Sequence, residues 1–194
     1  RVPECAWCFQ PGESTPEVEP LPALKKGYVT FGCFNNMAKL NPALFDMWAE
    51  ILIKVPDSHL RLKARTLTDD RVKNELKDYF TAKGIAAERL DFFGHTRKIH
   101  EHLNHYHEVD IALDSFPYHG TTTTCEAMWM GCPVVTRAGG AHVSRVGVSL
   151  LSAVGLEEFI GQNREDYIGK AVALAGNIER LVELRAGMRD RLKS

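Results

Sequence analysis

Four consecutive threonines, Thr121, Thr122, Thr123 and Thr124, stand between Asp114-Ser115-Phe116-Pro117-Tyr118-His119-Gly120 and Cys125-Glu126. The apolar run before them, Val109 to Leu113, reads as a buried parallel strand, and the residues after them read as a short helix that Gly131 can end in a left-handed cap. Thr123 and Glu126 have capping-box spacing, in which each side chain satisfies a backbone N–H of the first turn. One cap needs only one of the threonines. Thr121, Thr122 and Thr124 place further hydroxyls beside free N–H groups at the positive end of a helix dipole, an arrangement suited to an anion and to phosphate in particular.

Other residues extend this chemistry. Lys39 follows the first strand and offers an ammonium that could neutralise a diphosphate, although most lysines in turns are simply solvated. Asn36, three residues earlier, either donates a hydrogen bond to the same ligand or shapes the turn. Glu126 can close the capping box and can also accept from the two hydroxyls of a ribose. His142, Ser144 and Arg145 follow a later strand and can approach a transferred group, the plain alternative for Arg145 being an ion pair on a helix.

Six of the eight histidines lie between His95 and His119. Four of them, His100, His102, His105 and His107, fall on one short helix, where two or three at most can share a face. No Cys or carboxylate at ligand spacing joins them, so no metal site is expected; instead one or two neutral imidazoles contact a ligand base. Cys5-Ala6-Trp7-Cys8 has zinc-ligand spacing but lacks a second pair.

The elements that position these residues follow from periodicity. Residues 1–27 carry five of the nine prolines and read as a Pro-rich linker or arm, leaving 28–194 as one lobe. Strands are expected at Tyr28 to Phe34, His59 to Lys63, Leu90 to Phe93, Val109 to Leu113 and Cys132 to Thr136, with a short sixth at Phe159-Ile160. Helices lie between them. The clearest starts at Asn41-Pro42, an N-cap followed by proline at the first helical position, and repeats Leu44, Met47, Trp48, Ile51, Leu52 and Val55 on one face. A helix near Asp70 to Lys83 and one carrying Ile99, Leu103 and Tyr106 follow; another starts near Ser144, and Arg164 to Lys193 forms one or two more.

This alternation gives an α/β fold: a Rossmann-like parallel sheet with helices on both faces and ligands beyond the carboxyl ends of its strands. No G-x-G-x-x-G follows the first strand, which disfavours a dinucleotide cofactor. A net charge of −1 without a long basic run gives no support to nucleic-acid or membrane-surface binding. Five cysteines, an odd number, suggest reduced thiols, and no stretch is long and apolar enough for a bilayer, so a cytoplasmic setting is expected.

The segments Phe34-Asn35-Asn36-Met37-Ala38-Lys39, Asp110 to Tyr118, Gly120 to Glu126 and Ser144 to Leu151 resemble the carboxyl-terminal lobe of the O-GlcNAc transferase and SPINDLY family, glycosyltransferase family 41. The resemblance covers Tyr28 to the end. It implies one lobe of a GT-B fold whose missing partner lobe follows tetratricopeptide repeats. The implied reaction is inverting, metal-independent transfer of a sugar from a nucleotide donor to Ser or Thr of a protein acceptor.

On that resemblance Lys39 neutralises the diphosphate, Thr122 and Thr123 bind the phosphates, Glu126 stands at an aspartate that holds the ribose, and His102 lies beside the base. Asn36 takes the place of a glutamine, Thr121 of a histidine and His105 of an arginine. The Phe-Pro-Tyr and four-threonine pattern is closer to the SPINDLY branch, whose plant members use GDP-fucose, so UDP-GlcNAc and GDP-fucose both stand as donors. No general base is evident, and the lobe alone is expected not to turn over. A non-catalytic nucleotide-binding or scaffold module and a nucleotide-sugar epimerase are the alternatives.

Overall fold

The chain is seen in a computed structural model that describes residues 7–12 and 15–193. Six strands, β1 (Thr30–Cys33), β2 (His59–Lys63), β3 (Leu90–Phe93), β4 (Ile111–Leu113), β5 (Val134–Arg137) and β6 (Ile160–Gly161), form one parallel sheet in the order β3-β2-β1-β4-β5-β6. β1, β4 and the start of β5 are short buried runs because helices cover both faces, while β2 and β3, toward one edge, leave His59, Arg61 and Asp91 partly exposed. The order reverses between β1 and β4, which pair through Phe31↔Ile111 and Gly32↔Ala112. A crevice therefore opens between their carboxyl ends.

The α-helices are α1 (Ala23–Lys26), α2 (Pro42–Lys54), α3 (Asp70–Thr81), α4 (Ile99–Asn104), α5 (Thr122–Trp129), α6 (Val146–Ala153), α7 (Arg164–Ala175) and α8 (Ile178–Lys193). Asn41 caps α2 as its sequence indicates, accepting from Leu44 N at 3.0 Å. Trp48 of α2 is fully buried and donates from Nε1 to the Tyr167 hydroxyl of α7 at 3.1 Å. That hydroxyl donates in turn to the Asp114 carbonyl at 3.2 Å, tying both helices to the end of β4. No helix among the described residues is long and apolar enough to cross a membrane.

Two elements differ from expectation. β1 is confined to Thr30–Cys33, because Tyr28 stacks on His59, with ring centroids 4.1 Å apart, instead of extending the strand. The helix expected to carry Ile99, Leu103 and Tyr106 on one buried face stops at Asn104 and tightens into a 3₁₀ turn, His105–Glu108. The tightened turn sets Tyr106 against Phe34 at 4.4 Å, while Ile99 stays 48% exposed. Of the one or two helices expected from Arg164 to Lys193, two form, α7 and α8.

The expected arm is docked over residues 16–27. Buried Arg185 of α8 donates to the carbonyls of Glu19 (2.7 Å), Val109 (2.8 Å) and Tyr106 (3.3 Å), and Arg189 donates to those of Pro16 and Trp129. The Asp110 carboxylate accepts from Ala23 N at 2.9 Å and Thr30 N at 2.7 Å, holding α1 beside β1. An Arg185→Met variant removes the guanidinium that ties the Glu19 carbonyl to the buried carbonyls of Val109 and Tyr106, so a loss of about 2 kcal/mol in urea unfolding is expected, with new proteolytic cleavage within 16–27. An unchanged midpoint and cleavage pattern would show that the arm is held without this arginine.

Candidate functional site: a cleft at the β1/β4 switch point

The loop from β4 to α5 is fastened from beneath by a buried carboxylate. Asp114 Oδ1 accepts from Ser115 N (2.9 Å) and Gly120 N (2.8 Å), and Oδ2 accepts from the Thr136 hydroxyl (2.7 Å). Burial raises the Asp114 pKa, against the pull of these donors. His119 is also buried. Its Nε2 meets the Arg137 carbonyl at 2.9 Å, and its Nδ1 meets Gly147 N at 3.0 Å. A carbonyl only accepts and an amide N–H only donates, so the ring is neutral and carries its proton on Nε2. Asn41, besides capping α2, donates from Nδ2 to the Phe116 carbonyl at 2.7 Å.

These contacts deliver the threonines. Thr121 is the N-cap of α5 and makes no side-chain cap bond. The first intrahelical bond runs from Cys125 N to Thr121 O, so the N–H groups of Thr122, Thr123 and Thr124 precede it and have no carbonyl one turn back. Thr122 is exposed, whereas Thr124 is buried at 3% exposure and belongs to the packing beneath the helix.

The capping box does not form. The helix starts at Thr122, which places Thr123 inside the first turn; its hydroxyl donates to Asn35 Oδ1 at 2.8 Å. Glu126 turns instead to His102, with Oε2 3.1 Å from Nε2.

Lys39 reaches the same loop from the end of β1. Its Nζ donates to the His119 carbonyl at 2.8 Å and lies 4.4 Å from the centre of the Tyr118 ring. Burial lowers its pKa, while Asp114 and Cys33 oppose the shift. Asn36 does shape the turn, accepting from Ala38 N at 3.0 Å, and it also lines an adjoining cleft of about 380 Å³ with Phe34, Lys63, Arg65, Arg97 and His102.

Of the four helix histidines, His102 lies in this cleft. His105 packs against the Phe93 ring at 4.9 Å, and burial, helped by Lys63 and Arg61, pushes its pKa down to about 4. His107 points away, its Nε2 2.9 Å from the Glu17 carbonyl. No group of three or more His, Cys, Asp or Glu among the described residues is placed to hold a metal.

Near β5 the Ser144 hydroxyl is buried and donates to the Ala141 carbonyl at 2.9 Å, which commits it to its own turn. Arg145 donates to the Gly139 carbonyl at 3.3 Å, in place of the helix ion pair its sequence position offers. Cys5 of the Cys-x-x-Cys pair lies outside the described residues; Cys8, Cys33, Cys125 and Cys132 form no disulfide among the described residues.

Sequence reasoning gave no role to Asn35, Lys63, Asp114 or His119 in this site. Lys63 carried one signal, its place at the carboxyl end of β2 facing the crevice edge. The buried pair Asp114 and His119 carried none, because their role depends on packing between β4, β5 and α6.

A parallel sheet with this switch point and a helix start opposite a lysine has the architecture of one lobe of a GT-B fold. A solved C-terminal domain of a group 1 glycosyl transferase from Francisella tularensis superposes with a TM-score of 0.65 at 16% identity, covering 92% of this chain and 93% of that one, and so shares the fold. The family profile described as "Glycosyl transferase family 41" matches residues 21–194, and the chain belongs to that family.

The chain is similar to the Arabidopsis thaliana protein named "Probable UDP-N-acetylglucosamine--peptide N-acetylglucosaminyltransferase SPINDLY", with 41% identity over 190 residues. That match takes in 98% of this chain and 21% of the plant protein, so the chain spans about a fifth of that relative's length. It is also similar to a solved O-GlcNAc transferase variant of Thermobaculum terrenum, with a TM-score of 0.87 and 36% identity over 94% of this chain and 34% of that one.

Proposed function

We propose that this chain is the donor-binding lobe of a protein O-glycosyltransferase, which transfers GlcNAc from UDP-GlcNAc or fucose from GDP-fucose to Ser or Thr of a protein acceptor. The observation that carries the reading is the convergence of the free N–H groups of Thr122 and Thr123 with Lys39 on one side of the switch point, next to a cleft of about 380 Å³ containing His102. The diphosphate lies against the α5 N-terminus, where fixed N–H dipoles and the ammonium meet the charge that grows on it as the sugar leaves. Thr121 and Asn36 flank it. Glu126 takes the ribose hydroxyls, and the base enters the cleft beside His102.

The nucleotide sugar is a substrate, and the reaction is inverting. It uses no metal, since Lys39 and the helix start supply the positive charge. No residue of this lobe serves as general base for the acceptor hydroxyl. The base and acceptor groove belong to a partner lobe in the longer protein, preceded by tetratricopeptide repeats as the family resemblance implies. The odd number of cysteines, five, suits a reducing, cytoplasmic setting.

Calorimetry with UDP, GDP and their sugars tests the reading. Binding of at least one is expected, weakened about fivefold by Thr122→Ala, which removes a hydroxyl from an otherwise intact helix start. A protein that binds none of them would favour a scaffold role and overturn the proposal.

A further inference from the structure

We propose that Lys63 is a positioning residue of the nucleotide cleft: its ammonium holds His102 as the Nε2–H tautomer, and that imidazole fixes the Glu126 carboxylate for the ribose hydroxyls. The inference rests on the donor-lobe reading, because it assigns how that lobe sets its ribose contact.

Lys63 is the last residue of β2, paired with Phe93 on β3, and is only 5% exposed. Its Nζ lies 2.9 Å from His102 Nδ1, and His102 Nε2 lies 3.1 Å from Glu126 Oε2. An ammonium has three donors and no lone pair, so Nδ1 must accept; the neutral ring then carries its proton on Nε2 and donates to the carboxylate. Side chains from β2, α4 and α5 thus form one line of fixed polarity, with His102 18% and Glu126 12% exposed. Burial lowers the Lys63 pKa, and the negative charge of the Glu126 carboxylate opposes that shift.

The surroundings keep the ring in place. Phe34 lies edge-on to it at 6.0 Å and Tyr106 at 5.9 Å. A ring flip would exchange both nitrogens and lose both polar contacts. Glu126 Oε1 has no protein partner among the described residues, which leaves it for a ligand hydroxyl. Take Lys63 away and Nδ1 loses its donor; the ring can then move its proton to Nδ1, and Glu126 loses the N–H that orients it.

The test compares the wild-type protein with Lys63→Met and Lys63→Arg, using ¹⁵N–¹H spectra of the histidine rings, with His102→Gln to assign the signals. Calorimetry uses UDP and GDP beside their 2′,3′-dideoxy analogues. The expected wild-type ring is protonated on Nε2 alone, whereas Lys63→Met shows an Nδ1–H or averaged signal. Lys63→Met should weaken the bound ribonucleotide about tenfold and change its dideoxy analogue by no more than about twofold, and Lys63→Arg, which keeps a donor, should recover most of the loss.

An unchanged tautomer in Lys63→Met overturns the proposal. So does an equal loss for ribo- and dideoxynucleotides, which would make Lys63 a contact to base or phosphate. If the wild-type protein binds neither nucleotide, the donor-lobe reading falls with the ribose assignment, and the spectra alone decide whether Lys63 sets His102.

Discussion

Lys39→Ala is expected to slow sugar transfer by the longer protein that contains this lobe about 10²- to 10³-fold, the size of effect seen when a fixed donor to developing negative charge is removed. The ammonium is already placed before any ligand arrives, held by the His119 carbonyl at 2.8 Å and resting near the Tyr118 ring at 4.4 Å. Burial has partly desolvated it, which strengthens its attraction for a diphosphate. The charge it meets increases as the glycosidic bond breaks, so the loss should fall on kcat more than on KM. Binding of UDP or GDP should weaken, while uridine and guanosine, which lack phosphate, should bind the variant and the wild type alike. Turnover within a few-fold of wild type would remove Lys39 from the leaving-group site.

The second large effect belongs to stability. Asp114→Ala should destabilise the lobe by about 4 kcal/mol, because it strands two backbone N–H groups and a hydroxyl that the buried carboxylate now satisfies. The loop from Ser115 to Gly120 hangs on that carboxylate, so the variant should also lose nucleotide binding without touching a ligand itself. Thr136→Val removes one of the three donors and keeps the other two, and about 1 kcal/mol with binding retained is expected. Urea unfolding of the two variants, followed by calorimetry on each, separates anchoring of the loop from a direct contact. An Asp114→Ala protein as stable as wild type would contradict the account of the loop.

Local rules made much of this fold legible in the sequence. Asn41 and Pro42 announce the start of α2, and the apolar repeat from Leu44 to Leu52 identifies the buried face, because cap and periodicity are properties of a single helix. β2 and β3 likewise occupy the residues their patterns indicate. The capping box failed for an equally physical reason. Thr123 and Glu126 have the local spacing, but partners 88 and 24 residues away, Asn35 and His102, take their side chains.

The same holds for the arm. Its proline-rich composition suggests a linker, and contacts distant in sequence, such as the donation from Arg185 to Glu19 across 166 residues, show that it is docked. Lys39, Asn36, Glu126 and the threonines were visible as candidates because they follow strand ends or open the helix after one, whereas His102 was singled out by the family resemblance. The orientation of His102 was not visible, since it depends on how α4 settles against the end of β2.

A crystal structure of the protein with bound UDP or GDP tests the central claim most directly. It should show the diphosphate within hydrogen-bonding distance of the Thr122 and Thr123 N–H groups and of Lys39 Nζ, the ribose at Glu126 and the base beside His102. A nucleotide bound with its phosphates away from both Lys39 and the start of α5 would contradict the assignment of this cleft.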